Sequence, residues 1–207
     1  MTSTILEPVI GAHADVAALL RRLYRTMATV RRLDREAVVL RGRGVLPAHI
    51  DSRGREAVHV GAASALDPAR DRAFPAAHEP GVAIALGADP AAVLSARSGP
   101  LGAALDGSVT HAVGWALGAK LDRTGACALV PVGTGAGNHV EVRNAVGTAR
   151  AAALPVVFLS SSGRSGSASM PVLLVDGSDA LAVHEATREA LAHARSGAGP
   201  ILIDAVL

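Results

Sequence analysis

Apolar side chains recur every three to four residues along the first fifth of the chain. Leu19, Leu20, Leu23, Met27, Val30, Leu33, Ala37 and Leu40 form one stripe. That period predicts a long amphipathic helix over residues 15–41, with Gly42 as its stop. Residues 42–52 read as a loop. A second helix is expected from Arg55 to about Leu66, ended by Asp67-Pro68. Phe74-Pro75 opens a turn, and a short helix follows over 78–86. Asp89-Pro90 places a cap before a proline at the first helical position, predicting a helix to Arg97. Residues 98–107 read as a Gly-containing linker.

Beyond that linker, helical stretches alternate with short continuous apolar runs. Helices are predicted over 109–121, 140–153 and 178–195, the last with Ser178 as its cap. Strands are predicted over 126–132, 155–159, 172–175 and 200–206. Strands apolar at every position belong in a parallel sheet covered on both faces, so the fold class is α/β, three layers with a central parallel sheet. The whole of 1–207 is expected to form one such domain. Residues 1–52 supply its N-terminal helix and loop, and 160–170 a flexible Ser/Gly loop.

Composition narrows the class of function. Half of the 207 residues are hydrophobic and only 2% are aromatic, so the core is expected to be Ala, Val and Leu. The formal charge is +2. That balance, with few rings for stacking, argues against a nucleic-acid partner. Arg21, Arg22, Arg25, Arg31, Arg32 and Arg35 are read as a solvated helix surface with Asp34 and Glu36 interspersed. The single cysteine, Cys127, excludes an intramolecular disulfide and is expected to be buried in its strand. The start of the chain has no basic-then-apolar leader, and no apolar run approaches a membrane span of about 18 residues. No membrane association and a cytoplasmic location are expected.

The candidate chemistry lies in two loops at the ends of neighbouring predicted strands. Gly133-Thr134-Gly135-Ala136 ends the run 126–132, and Ser160-Ser161-Ser162-Gly163 ends the run 155–159. A parallel α/β sheet binds its ligand just past the carboxyl ends of such strands. Backbone N–H groups in the glycine-rich turn can form an anion nest, with Ser162 and Arg164 as further donors.

The order and spacing of several fragments resemble the alpha subunit of the thiamine diphosphate-dependent decarboxylase component of 2-oxo acid dehydrogenase complexes, of the pyruvate and branched-chain types. Leu23-Tyr24-Arg25-Thr26-Met27 and Arg31-Arg32-Leu33-Asp34 resemble that family's first helix. Gly54-Arg55-Glu56-Ala57 resembles its Gly-Gln-Glu-Ala segment. His111-Ala112-Val113-Gly114 resembles the helix before the cofactor loop. Val175-Asp176-Gly177-Ser178-Asp179 and Gly199-Pro200-Ile201-Leu202-Ile203 resemble the end of the domain. The resemblance implies a thiamine diphosphate-binding-like fold, thiamine diphosphate as the cofactor, and cofactor contacts at Gly133, Thr134, Gly135, Ala136, Ser162, Gly163 and Arg164. It also implies a beta-type partner subunit in a hetero-oligomer, with a homodimer as the alternative. The helix over 109–121, with Gly114, Trp115 and Gly118, is expected to meet another subunit.

The family's signature is Gly-Asp-Gly, then about 26 residues, then Asn-Asn, and its Asp and an Asn ligate magnesium. Here residues 136–161 preserve the interval of 26, but Thr134 replaces the Asp, Ser162 the first Asn and Gly163 the second. Ala77-His78 stands where the family has a Tyr-Arg pair. A hard divalent cation prefers carboxylate oxygens in near-octahedral geometry, so no metal site and no magnesium are expected. His78, His111 and His139 border the implied cleft and are the candidate general bases. Glu56 and Asp176 are a candidate carboxylate pair. Three functions fit this pattern. They are a degenerate or cofactor-altered alpha-type subunit, an active 2-oxo acid decarboxylase subunit, and a metal-free enzyme of new chemistry on the same fold.

Overall fold

The computed structural model describes residues 6–46, 52–75, 79–97, 108–132, 140–161 and 170–207. Five strands form one sheet: β1 (Arg72–Ala73), β2 (Ala128–Pro131), β3 (Val156–Ser160), β4 (Val172–Asp176) and β5 (Ile201–Val206). Their order is β1-β2-β3-β5-β4 and every pairing is parallel. The four predicted strands are all present. β1 is the addition. Two residues are too few to leave an apolar run in the sequence, and only pairing with Ala128 and Leu129 identifies them as strand.

Helices cover both faces of the sheet. On one face, α2 (Glu56–Ser64) and α7 (Ala180–His193) lay Val58, Ala62, Val183, Ala190 and Leu191 against Cys127, Leu129, Val157, Leu159, Ile201 and Ile203. On the other, α5 (Ser108–Leu121) and α6 (Val140–Ala151) lay Val109, Ala112, Ala116, Ala145 and Ala149 against Ala128, Val130, Val156, Phe158 and Leu202. Consecutive strand residues alternate between the two cores, as the two-residue period of a strand requires. The long helix α1 (Leu6–Gly42) packs outside α2 through Leu23 and Val30 against Ala57 and Val60. Two short helices, α3 (Pro80–Ala85) and α4 (Pro90–Arg97), complete that side.

Small residues allow the closest of these contacts. A Cβ on Gly61 of α2 would stand 2.6 Å from the carbonyl oxygen of Ala180 and 2.9 Å from Cβ of Val183. Only glycine lets α2 and α7 approach so closely. The cap of α7 is Asp179, not Ser178. The Asp179 carboxylate accepts the N–H groups of Leu181 and Ala182. Ser178 instead donates its hydroxyl to Asp176 at 2.7 Å, closing the turn after β4.

At the amino end of the sheet, buried Asp71 gathers four groups. It accepts the N–H of Cys127 at 3.0 Å and of Asp67 at 3.1 Å, and pairs with Arg195 at 2.5 Å and Arg70 at 3.8 Å. Arg195 also donates to the carbonyl of Gly125. This node ties the turn after α7 to the start of β2. α5 and α6 are clamped at both ends. Thr110 donates to Glu141 near their N-termini, and Lys120 donates to the carbonyls of Ala152 and Ala153 near their C-termini. None of the helices described is long and apolar enough to cross a membrane.

Candidate functional site

The parallel sheet brings the carboxyl ends of β2 and β3 side by side, with Pro131 opposite Leu159. The N–H of Val132 donates to the Leu159 carbonyl at 2.8 Å, so the pairing continues one residue past β2. The two candidate loops therefore leave the sheet from adjacent positions. Gly133, Thr134, Gly135, Ala136, His139, Ser162, Gly163 and Arg164 lie outside the described residues, as does His78. The Ser/Gly loop over 160–170 is described only at Ser160, Ser161 and Met170.

What frames those loops is described. β5 runs beside β3 with Asp204 opposite Ser160. Both side chains belong to the face covered by α5 and α6, since Phe158 and Leu202 two residues earlier pack into that core. Ser160 is 5% exposed and Asp204 1%. A carboxylate inside an otherwise apolar strand is costly to bury, and it stands opposite Ser160, the last residue of β3. Sequence reasoning treated 200–206 as a plain strand and missed it. The signal was the lone acid in Ile201-Leu202-Ile203-Asp204-Ala205-Val206. Glu79, also missed, is buried directly after the Ala77-His78 pair.

On the near side, Phe74 follows β1 and rests its ring 5.9 Å from that of Trp115. Trp115 is thus half-buried against the sheet. Gly114, its neighbour on α5, is exposed and a Cβ there would meet nothing within 4 Å. Exposed Leu117 and Val140 flank a shallow groove between α5 and α6. His111 is exposed near the start of α5. Of the three candidate bases it alone is described.

Glu56 and Asp176 are not a pair. Glu56 is buried at the start of α2, where its carboxylate receives Arg31 Nε at 2.5 Å and the Gly54 N–H at 2.8 Å. Burial alone would push this carboxyl up. The Arg31 hydrogen bond and charge, with the backbone donors, outweigh burial and hold it below the usual range. Asp176 is exposed, and its carboxylate holds the Ser178 hydroxyl and N–H. Asp34, expected to lie among the arginines of α1, is buried and accepts the Ser52 N–H at 3.1 Å. The Asp34 and Glu56 contacts fasten Ser52 and Gly54 just before α2.

Among the described residues, no group of three or more His, Cys, Asp or Glu side chains is placed to share a metal ion. The polar groups at the described ends of β3 and β5 are hydroxyls and one carboxylate. That carboxylate is buried on the face covered by α5 and α6.

The architecture is that of thiamine diphosphate-type folds. A transketolase from Campylobacter jejuni superposes with a TM-score of 0.57 over 90% of this chain and 37% of that one, at 18% identity. Sequence comparison is more specific. The model of the family described as dehydrogenase E1 component matches residues 160–207. The 2-oxoisovalerate dehydrogenase subunit alpha of Bacillus subtilis is 30% identical over 227 residues, covering 89% of this chain and 69% of that protein. The 3-methyl-2-oxobutanoate dehydrogenase subunit alpha of Mycobacterium tuberculosis is 32% identical over 228 residues, covering 94% and 62%. The pyruvate dehydrogenase E1 component subunit alpha of Zymomonas mobilis is 28% identical, covering 96% and 68%. The chain belongs to the family of 2-oxo acid dehydrogenase E1 alpha subunits, and it spans about two thirds of the length of these relatives.

Proposed function

We propose that this chain is an alpha-type subunit that pairs with a beta-type subunit but has lost the means to hold magnesium and the cofactor diphosphate itself. The observation that carries this reading is the contrast between register and chemistry. The interval of 26 residues between the two loops is intact, and β2 and β3 still deliver them from adjacent strand ends. The ligating positions, however, hold Thr134, Ser162 and Gly163. A neutral hydroxyl does not replace a carboxylate beside an anion of several charges, because the cation must be held by negative oxygen donors. Asp204, buried opposite Ser160 on the face covered by α5 and α6, is not one of the signature positions. The residues present do not fit a magnesium–diphosphate group, and no catalytic step is assigned through it.

The fold and partner surface remain in this reading. Gly114 and Gly118 on α5, with exposed Leu117 and Val140 beside them, support close contact with a second subunit. The chain then stabilises or completes a partner's site. Restoring the ligands tests the proposal. The double variant Thr134→Asp, Ser162→Asn should gain magnesium-dependent thiamine diphosphate binding that the unmodified protein lacks. Equal, magnesium-dependent binding by the unmodified protein would return the active decarboxylase subunit to the lead.

A further inference from the structure

The solvent side of α1 carries a ridge of arginines. Arg21, Arg25, Arg32 and Arg35 are all exposed, at spacings of four, seven and three residues. At 100° per residue they fall within about 80° of arc, opposite the stripe of Leu23, Met27, Val30 and Ala37 that faces the protein. At 1.5 Å per residue the ridge is about 21 Å long. Among the described residues none of the four makes a side-chain hydrogen bond or ion pair. Their neighbour Arg31 is different, because it is bound to Glu56.

The ridge is also less balanced than its sequence suggests. Of the two acids between residues 21 and 43, Asp34 is turned inward and held by Ser52. Only Glu36 remains exposed along the flank. Four positive charges on the ridge exceed the chain's formal total of +2, which leaves −2 on all other residues together. Only 2% of the residues are aromatic, so few rings are available to stack bases, which favours an acidic protein segment over a single-stranded nucleic acid.

We propose that this ridge docks an acidic segment of another protein, about 20 Å long, whose carboxylates pair with the guanidinium forks of Arg21, Arg25, Arg32 and Arg35. Arginine suits this task because its planar fork meets a carboxylate through two parallel hydrogen bonds. The surface lies on the solvent side of α1, opposite the Leu23 and Val30 stripe that packs on α2.

The test uses a fluorescently labelled, glutamate-rich helical peptide of 16 residues and a 16-nucleotide single-stranded DNA, titrated with the whole chain at low salt. Saturable peptide binding that weakens with salt is expected. The variant R21Q/R25Q/R32Q/R35Q should bind at least tenfold more weakly. A control with the same charge change elsewhere, R123Q/R143Q/R150Q/R188Q, should stay within twofold of the unmodified protein. Should the fourfold ridge variant fail to fold, R21Q/R25Q and R32Q/R35Q should each show an intermediate loss. Tighter binding of the DNA than of the peptide, equal losses in ridge and control variants, or no saturable peptide binding would each overturn the proposal.

Discussion

Ser160 and Asp204 stand opposite each other on neighbouring parallel strands, both buried on the same face, at the edge from which the Ser-rich loop departs. Polar groups enclosed this closely share one local environment, and their contributions to stability should not add. A double-mutant cycle of Ser160→Ala and Asp204→Asn, followed by chemical denaturation, should give a coupling of about 0.5–3 kcal/mol. Additivity would mean that the two act independently.

Asp71 and Arg195 fasten the opposite edge of the sheet. The Asp71 carboxylate is fully enclosed and also holds the Cys127 and Asp67 N–H groups. Asp71→Ala should cost about 3–5 kcal/mol, because it removes a buried pair's partner and orphans two backbone donors. Arg188→Ala, which removes an exposed pair with Glu185, should cost well under about 1 kcal/mol. Urea midpoints of the two variants give the comparison.

His184 introduces a pH dependence. Its Nδ1 lies 2.8 Å from the Ser64 hydroxyl between α2 and α7. Burial, aided by Arg188 and Arg22, holds its pKa below the ordinary 6.5 against the opposing pull of Glu185. The unfolded chain therefore takes up the proton first as pH falls. The stability due to neutral His184 is complete above about pH 6.5 and declines below it. Thermal melts between pH 7.5 and 5.5 should fall less steeply for His184→Gln than for the unmodified protein. Parallel slopes would contradict the assignment.

Cys127 is buried in the sheet, and burial pushes its thiol up to about 11. At pH 8 only about a thousandth is thiolate, and reaction requires that form together with access. Ellman's reagent should leave the folded protein unmodified over minutes and titrate one thiol at once in denaturant.

Two glycines should respond oppositely. Gly61→Ala should cost about 1–3 kcal/mol, since the new methyl meets the Ala180 carbonyl. Gly114→Ala enters open space and should stabilise the isolated chain by up to about 1 kcal/mol through helix propensity. In the presence of a beta-type subunit the same methyl should weaken association, which light scattering would register.

The sequence made the sheet readable where strands are apolar on both faces. Val156–Leu159 and Ile201–Ile203 leave little choice but a covered parallel strand. β1 escaped because two residues carry no periodicity, and its identity depends on a partner 56 positions away. Asp34 was misplaced for a related reason. Its charge suggested solvent, while its helical position lay on the inner stripe and Ser52 supplied the donor. The α7 cap slipped by one residue because Ser178 and Asp179 are both good caps, and only the competing bond to Asp176 separates them. At the site, spacing revealed the two loops and their kinship. The buried Asp204 needed the register with β3 to become visible.

The most direct test of the central claim is calorimetric titration of the protein with thiamine diphosphate and magnesium, alone and with a beta-type subunit present. The expected result is no binding that depends on magnesium in either state, because Thr134, Ser162 and Gly163 offer it no carboxylate. Micromolar binding that vanishes when magnesium is chelated would contradict that claim.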